Sequence, residues 1–169
     1  NKIFEDAGVV GKTPRAAIAY KFSPKEATTI VEDIKMQIGR TGTLTPVAVL
    51  RPIELSGTRI SRATLHNFDQ IRRLGIKIGD TVIISRAGDV VPQINQVLKN
   101  LRTGKEIEFH MPKKCPIDGS KIIQEGVFYK CSNVDCGARN RQSLRHFVSK
   151  GAFDIVGLGP KIMDRFLDE

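Results

Sequence analysis

The sequence predicts a mainly β protein: a five-stranded Greek-key barrel, a small metal-stapled lobe and a short helical segment. Three observations support this prediction. Apolar side chains alternate with a period of two through much of residues 15–98, and one short helix follows the third of the strands predicted after residue 22. Segments punctuated by Gly, Pro and Cys come next, and residues 139–169 favour helices.

The first predicted strands carry the clearest alternation. Residues 15–22 predict a strand with Ile18, Tyr20 and Phe22 on one face, which Ser23-Pro24 ends. A long half-buried strand follows up to Ile38. One of its faces is predicted to hold Ile30, Ile34, Met36 and Ile38, and the other Thr29, Asp33, Lys35 and Gln37.

The remaining barrel elements are separated by turn and cap signals. In order, they are a turn over 39–42, a strand over 44–50, a pairing element over 53–60 with a tight turn at Gly57-Thr58, a helix over 67–74 stopped by Gly75, and strands over 81–86 and 90–98. Three strands, a helix and two further strands form the element order of the oligonucleotide-binding (OB) barrel.

Charge limits the class of partner. The 169 residues carry 27 Lys and Arg against 18 Asp and Glu, a formal net charge of +9. Basic pairs in several separate segments favour an extended anionic ligand, nucleic acid, over a merely solvated surface. No long apolar run or signal peptide supports a membrane partner, so a cytosolic protein is expected. Because the chain begins with Asn1 and residues 1–10 show no clear start of a fold, a fragment is expected.

The cysteines suggest a metal site rather than disulfides. Cys115-Pro-Ile-Asp118-Gly and Cys131-Ser-Asn-Val-Asp-Cys136 have the spacing of two zinc knuckles around a hairpin. A zinc ribbon has Cys where this chain has Asp118, so either Asp118 or water would complete the tetrahedron. The alternative is that Asp118-Gly119 is only a turn and packing holds the lobe together.

Two glycine-flanked arginines are the DNA-contact candidates of the barrel. They are Arg40 in Gly-Arg-Thr41-Gly and Arg86 in Arg-Ala-Gly88-Asp, where a backbone without side chains can approach a phosphate closely. A break in the strand at Ala87-Gly88 would present this backbone. The alternative for each arginine is a surface ion pair, for example with Asp89.

A third candidate contact lies near the end of the chain. Residues 139–150 predict a basic helix with Leu144, Phe147 and Val148 on its apolar side. Gly157-Leu-Gly159 then precedes a helix that carries Lys161, the pattern of a helix-hairpin-helix unit whose backbone amides bind phosphate. His66 and His146 have no nucleophile or metal partner in the sequence and are interpreted as structural or DNA-facing.

These motifs together closely resemble bacterial NAD-dependent DNA ligases. The resemblance rests on Gly39-Arg-Thr-Gly42, the stretch from Ser61 to Gln93, the cysteine pattern and Pro14-Arg-Ala-Ala-Ile-Ala-Tyr-Lys21-Phe, in family order. Lys21 matches a lysine that in the family contacts the adenylate phosphate. Taken alone, a strand lysine is usually a solvated outward residue. Ala16 and Ser23 replace the usual Trp and Pro of that motif.

The resemblance implies four segments and an enzyme. These are the end of an adenylation domain (1–22), an OB domain (23–110), a zinc-finger lobe (111–138) and the start of a helix-hairpin-helix domain (139–169). The parent enzyme would use NAD, Mg²⁺ and Zn²⁺ to seal nicks in duplex DNA through enzyme–AMP and DNA–AMP intermediates. It would act in the cytoplasm of a bacterium, at the nucleoid, and a monomer is expected.

The fragment itself is expected to bind DNA without catalysing the reaction. It lacks the family's Lys-x-Asp-Gly nucleophile motif, so it should be inactive alone and serve to bind DNA and close over the nick. A non-catalytic nucleic-acid-binding module is the main alternative, and a protein-binding scaffold is a weaker one.

Overall fold

The computed structural model describes residues 2–18, 24–88 and 90–168. The elements are, in chain order, α1 (Lys2–Ala7), β1 (Val9–Val10), β2 (Thr13–Pro14), β3 (Glu26–Ile38), β4 (Thr43–Leu55), β5 (Thr58–Thr64), α2 (Phe68–Leu74), β6 (Lys77–Ile78), β7 (Thr81–Ala87), β8 (Val91–Val97), a 3-10 helix (Lys99–Leu101), β9 (Ile107–Glu108), β10 (Ile122–Glu125), β11 (Phe128–Cys131), α3 (Gly137–Phe147) and α4 (Pro160–Asp168). Within these described residues no helix is long and apolar enough to span a membrane.

Five of the strands close into a barrel. β4, β3, β7, β8 and β5 lie side by side in this order, and β5 pairs again with β4. The contacts are antiparallel except between β5 and β8, which run parallel where Thr64 meets Gln93. Helix α2 connects the third and fourth barrel strands. The predicted OB-fold barrel is therefore confirmed.

The core of the barrel corrects the predicted faces of the first strand. A register shift between Val31 and Asp33 in the β3–β4 pairing marks a β-bulge. Thr29 and Val31 are therefore buried together with Ile34, whereas Ile30 is only half-buried. Thr29 compensates for its burial by donating a hydrogen bond of 2.6 Å from Oγ1 to the carbonyl oxygen of Arg51. The strict period-two assignment was wrong for Thr29 and Ile30.

The turns follow the predicted signals with shifted positions. β4 extends to Leu55, and the two-residue loop Ser56-Gly57 has φ angles of 53° and 72°, both positive as a type I′ hairpin turn requires. The Ala-Gly break after Arg86 is a hairpin turn between antiparallel β7 and β8, not an interruption of one strand. Residues 15–18 form a turn and an irregular segment, so the strand predicted there is wrong for the described part.

Helix α2 begins at Phe68, one residue after the predicted start, and ends at Leu74 as predicted, because both ends are capped. The side chain of Asn67 accepts a hydrogen bond of 2.9 Å from the backbone N–H of Gln70. At the other end Gly75 adopts a left-handed conformation with φ 61°, and its N–H bonds to the carbonyl oxygens of Ile71 and Arg72. Ile71 points into the barrel core.

A buried ion pair connects the segment that follows β8 to the C-terminal end of α2. The Asp80 side chain is fully buried and Arg102 keeps 24 % of its side chain exposed. Nε and Nη2 of Arg102 each donate to one Asp80 oxygen at 2.7 Å, and Nη2 also donates to the carbonyl oxygen of Gly75 at 2.6 Å. The second carboxylate oxygen accepts the N–H of Lys77. The hydrogen bond to Asp80 raises the pKa of Arg102.

The cysteine-containing lobe continues the barrel sheet. β10 and β11 form the expected hairpin, and β11 pairs with β4 where Tyr129 meets Leu44 and Lys130 meets Thr43. The three cysteines pack into one small core with Ile38 and Leu44 of the barrel. The lobe thus shares a core and a sheet with the β3–β4 hairpin.

The two C-terminal helices are joined by ion pairs. Arg141 and Arg145 of α3 both bind Asp164 of α4, and Arg141 also binds Asp168. Val148 and Met163 are buried, and the rings of Phe147 and Phe153 contact each other at a tilt of 36° with centroids 4.3 Å apart. The predicted basic helix begins two residues earlier than expected, at Gly137.

Candidate nucleic-acid interface and metal site

The four predicted metal ligands come together. The sulfur atoms of Cys115, Cys131 and Cys136 and a carboxylate oxygen of Asp118 all lie within 4.8 Å of one another. The Sγ atoms of Cys115 and Cys136 are 4.0 Å apart, and Sγ of Cys131 lies 3.6 and 3.7 Å from the Asp118 oxygens. Around zinc, a tetrahedron with bonds of about 2.3 Å to sulfur and 2.1 Å to oxygen has edges of about 3.8 and 3.6 Å. The donor set therefore fits a zinc ion.

Hydrogen bonds hold the carboxylate of Asp118 in its charged form. The backbone N–H of Ser120 and the thiol of Cys115 keep the pKa of Asp118 well below its ordinary range. The amide of Asn133 donates to the other carboxylate oxygen at 3.0 Å and orients it, as hydrogen-bond partners of metal ligands do. Burial makes the charged thiolate form less favourable: it raises the pKa of Cys131 to about 12 and also raises the pKa of Cys136. Binding of a metal here would release protons from the cysteines.

The turn that carries Arg40 is supported by this lobe. The N–H of Gly42 donates to the carbonyl oxygen of Gly39 at 2.9 Å, which closes the turn, and the carbonyl of Gly42 accepts the N–H of Cys131 at 3.0 Å. The hydroxyls of Thr41 and Thr43 lie 3.0 Å apart. Arg40 itself is exposed, and its guanidinium forms no ion pair with any residue that the structure describes. The surface-ion-pair alternative finds no support here.

Arg86 lies next to the other end of β3 from Arg40. The two arginines flank opposite ends of β3, since Ser85 pairs with Glu26 at one end and the turn over 39–42 follows Ile38 at the other. The contour between these ends is about 40 Å at 3.3 Å per residue. Nη1 of Arg86 donates to Oγ1 of Thr58 at 3.3 Å. Gly88 has φ 57° in the β7–β8 turn, and Asp89 lies outside the described residues.

The Gly-x-Gly segment lies directly before a helix, as predicted. Gly157 has φ 90°, and the carbonyl oxygen of Gly159 accepts the N–H groups of Ile162 and Met163 in the first turn of α4. Lys161 is exposed. A turn that needs glycine followed by a helix start is compatible with binding of a phosphate at this end.

Comparison with known proteins identifies the barrel and the wider chain. Residues 28–106 match the family model of the NAD-dependent DNA ligase OB-fold domain. The DNA ligases of Halothermothrix orenii, Thermomicrobium roseum and Clostridioides difficile are 47%, 49% and 48% identical over 98% of this chain. The chain belongs to the NAD-dependent DNA ligase family. It spans about a quarter of these relatives, 25%, 24% and 25% of their lengths respectively.

Some ligase-motif residues remain predictions. Lys21 lies outside the described residues, as do the neighbours that would position it. His66 is an exposed residue with φ 57°, and its backbone N–H donates to Oγ1 of Thr64. His146 is exposed on α3, and its carbonyl oxygen accepts the hydroxyl of Ser149.

Sequence reasoning missed the long-range contacts of this ligase-family chain. Asn133 was unremarkable as a sequence neighbour of Cys131, yet it binds Asp118. The pairing of Asp80 with Arg102 crosses 22 residues and had no sequence signal beyond opposite charge. Phe68 of α2 packs edge-on against Tyr129 of the lobe with ring centroids 6.0 Å apart. Only the fold brings these residues together.

Proposed function

We propose that this chain is the part of an NAD-dependent DNA ligase that binds duplex DNA and closes over a nick. The observation that carries the proposal is the combination of a ligase OB barrel with an excess of cations, formally +9. Arg40, Thr41, Arg86 and Gly88 would contact phosphates from the barrel, and Gly157, Gly159 and Lys161 from the helical segment. Because these groups meet the DNA backbone, binding would not depend on sequence.

The proposed domain organisation follows the family order. Residues 1–22 would end the adenylation domain, 23–110 form the OB domain, 111–138 the zinc-finger lobe and 139–169 begin the helix-hairpin-helix domain. The parent enzyme would take AMP from NAD onto a lysine that this chain lacks, transfer it to the 5′-phosphate and join the 3′-hydroxyl with the help of Mg²⁺. Lys21 would contact the adenylate phosphate and offset its charge. We propose that the enzyme acts as a monomer in the bacterial cytoplasm.

Zinc would have a structural role in this scheme. Cys115, Asp118, Cys131 and Cys136 would hold it, and its bonds would fix the hairpin β10–β11 and the start of α3 relative to the barrel. These residues stabilise the turn of Arg40 through the shared core and the Gly42–Cys131 hydrogen bond.

Two assays test this function on the chain as given. Fluorescence anisotropy with labelled nicked and intact duplexes should show binding that is independent of sequence and weakens with salt. Incubation with radiolabelled NAD should leave the chain without a covalent AMP adduct. An adduct on this chain would contradict the assignment of roles, and absence of DNA binding at low salt would contradict the proposed function.

A chimera tests the link to the parent enzyme. The corresponding segment of the Clostridioides difficile ligase, 48% identical, is replaced by this chain and nick sealing is measured. Sealing close to that of the unmodified ligase supports the proposal. A folded chimera that forms the AMP adduct but neither binds DNA nor seals nicks contradicts it. The alternative of a non-catalytic module predicts DNA binding without sealing.

A further inference from the structure

Arg139, in the first turn of α3, packs against the turn that carries Arg40. A Cβ atom placed on Gly42 would lie 3.7 Å from Cδ and 3.8 Å from Nη1 of Arg139, and 3.4 Å from the carbonyl oxygen of Cys131. Gly42 is buried with φ 81°, a left-handed conformation that favours glycine, whereas a Cβ atom there would make only ordinary van der Waals contacts with its neighbours. The guanidinium of Arg139 therefore lies beside a turn whose exposed tip is Arg40-Thr41.

The other two arginines of α3 are already neutralised. Arg141 binds Asp164 and Asp168, and Arg145 binds Asp164 through a bidentate contact. The bonds to Asp168 and Asp164 raise the pKa of Arg141. Arg139 differs, because its guanidinium makes no ion pair or hydrogen bond to any residue in the described ranges.

The position of Arg139 is also locally unfavourable for a cation. The N-terminal end of a helix carries partial positive charge, and α3 has no acidic residue in its first turn and no side-chain cap on Cys136. An anion bound at this end would interact favourably with both the helix and the arginine. The same anion could contact Arg40, because Arg40 and Gly42 belong to one closed four-residue turn.

A cleft next to this turn does not provide an alternative anion site. It measures about 960 Å³ and lies between the end of β3 and the helices α3 and α4. The arginines that line it are Arg141 and Arg145, whose guanidinium groups are held by the aspartates of α4. The unpaired cations at this end of the barrel, within the part of the chain that the structure describes, include Arg40 and Arg139.

We infer that Arg139 is a further DNA-contacting residue, which binds the phosphate backbone together with Arg40 at the β3–β4 turn. This inference rests on the proposed function, because it names a residue of the same DNA-binding surface. The turn supplies one guanidinium and the helix after the cysteine cluster supplies the other, so the site exists only when the lobe is docked on the barrel.

The test compares two substitutions on the same helix that change the net charge equally. Arg139→Gln and the control Arg141→Gln each remove one positive charge, and Arg139→Lys restores it. Binding of a labelled nicked duplex is measured by anisotropy from low to high salt, with thermal unfolding as a check on folding. Each phosphate contact contributes roughly 0.9 to the slope of log K against log salt.

We expect Arg139→Gln to reduce this slope by about 0.9. The loss of affinity relative to the wild type should therefore be about eightfold larger at 0.1 M salt than at 1 M salt. Arg141→Gln should leave the slope unchanged, because Arg145 still binds Asp164 and keeps α4 docked. Arg139→Lys should keep most of the wild-type slope. Equal reductions in the two Gln variants, or none in Arg139→Gln while the wild type binds DNA, would overturn the inference alone. Failure of the wild type to bind would overturn the proposed function as well.

Discussion

Replacement of Arg102 by Met should cost this fold about 3 kcal/mol or more of its free energy of unfolding. The substitution keeps the aliphatic volume and removes the guanidinium, which leaves the fully buried carboxylate of Asp80 without its partner. Breaking a buried ion pair by removing one partner costs about 3–5 kcal/mol. Because Arg102 keeps 24 % of its side chain exposed, water can partly replace it, so we expect the lower part of this range.

The size of this loss is large for a single domain. Small domains are stable by about 5–15 kcal/mol, so the variant should unfold at clearly lower urea concentration. The hydrogen bond from Arg102 to the carbonyl oxygen of Gly75 is lost as well, which loosens the C-terminal end of α2. Urea unfolding followed by circular dichroism measures the change, since the chain has two Tyr and no Trp for fluorescence.

Two controls separate the buried pair from a general charge effect. Lys35→Met removes a cation from an exposed pair, Lys35 to Asp33 at 4.0 Å with side chains 70% and 46% exposed, and should cost less than about 1 kcal/mol. The double variant Asp80→Asn/Arg102→Met removes the uncompensated charge and should be at least about 1 kcal/mol more stable than Arg102→Met. If Arg102→Met costs no more than Lys35→Met, the reasoning is wrong.

Three further predictions concern the metal site, the helices and the DNA contacts. Asp118→Cys should increase the amount of zinc that the chain retains after mild chelation, because a thiolate is a softer ligand than a carboxylate; metal analysis measures this. If the natural chain is metal-free and still unfolds cooperatively with the lobe intact, the zinc assignment is wrong. The bond to Arg145 lowers the pKa of Asp164, so docking of α4 should persist from neutral pH down to the ordinary value of 3.8 and weaken as the pH falls further. Hydrogen exchange of α4 measures this, and Asp164→Asn should reduce the pH dependence while the Arg141–Asp168 pair remains. Arg40→Ala and Arg86→Ala should each lower the salt slope of DNA binding by about 0.9 and together by about twice that, since they lie at opposite ends of β3; unchanged slopes would return both to ordinary surface residues.

Local patterns in the sequence predicted most of the elements. The alternation of apolar side chains located the barrel strands, and Asn67 and Gly75 located α2 because caps act within a few residues. The cysteine spacing predicted the metal cluster, since the two knuckles and the hairpin are each short-range features of the sequence. These signals depend on contacts between near neighbours, so they are readable along the chain.

The same local reading failed where one residue changed the phase of a strand. An extra residue near Glu32 shifts β3 by one position, which turns Thr29 inward and moves Ile30 partly out of the core. A period-two pattern cannot reveal such a bulge, because it inverts every assignment on one side of it. The bulge becomes visible only through pairing with β4.

The sequence by itself determined which barrel strands and helices form between residues 26 and 97, the net charge and the identity of the four candidate metal ligands. The tertiary structure decided which cationic side chains are free to bind an anionic ligand. It neutralises Arg141 and Arg145 with the aspartates of α4, buries Asp80 with Arg102 and lays Arg139 beside Gly42. The physical reason is that ion pairing and burial depend on distance in space, and these partners are separated by 19 to 97 residues of chain. Residue type alone cannot distinguish a paired arginine from a free one.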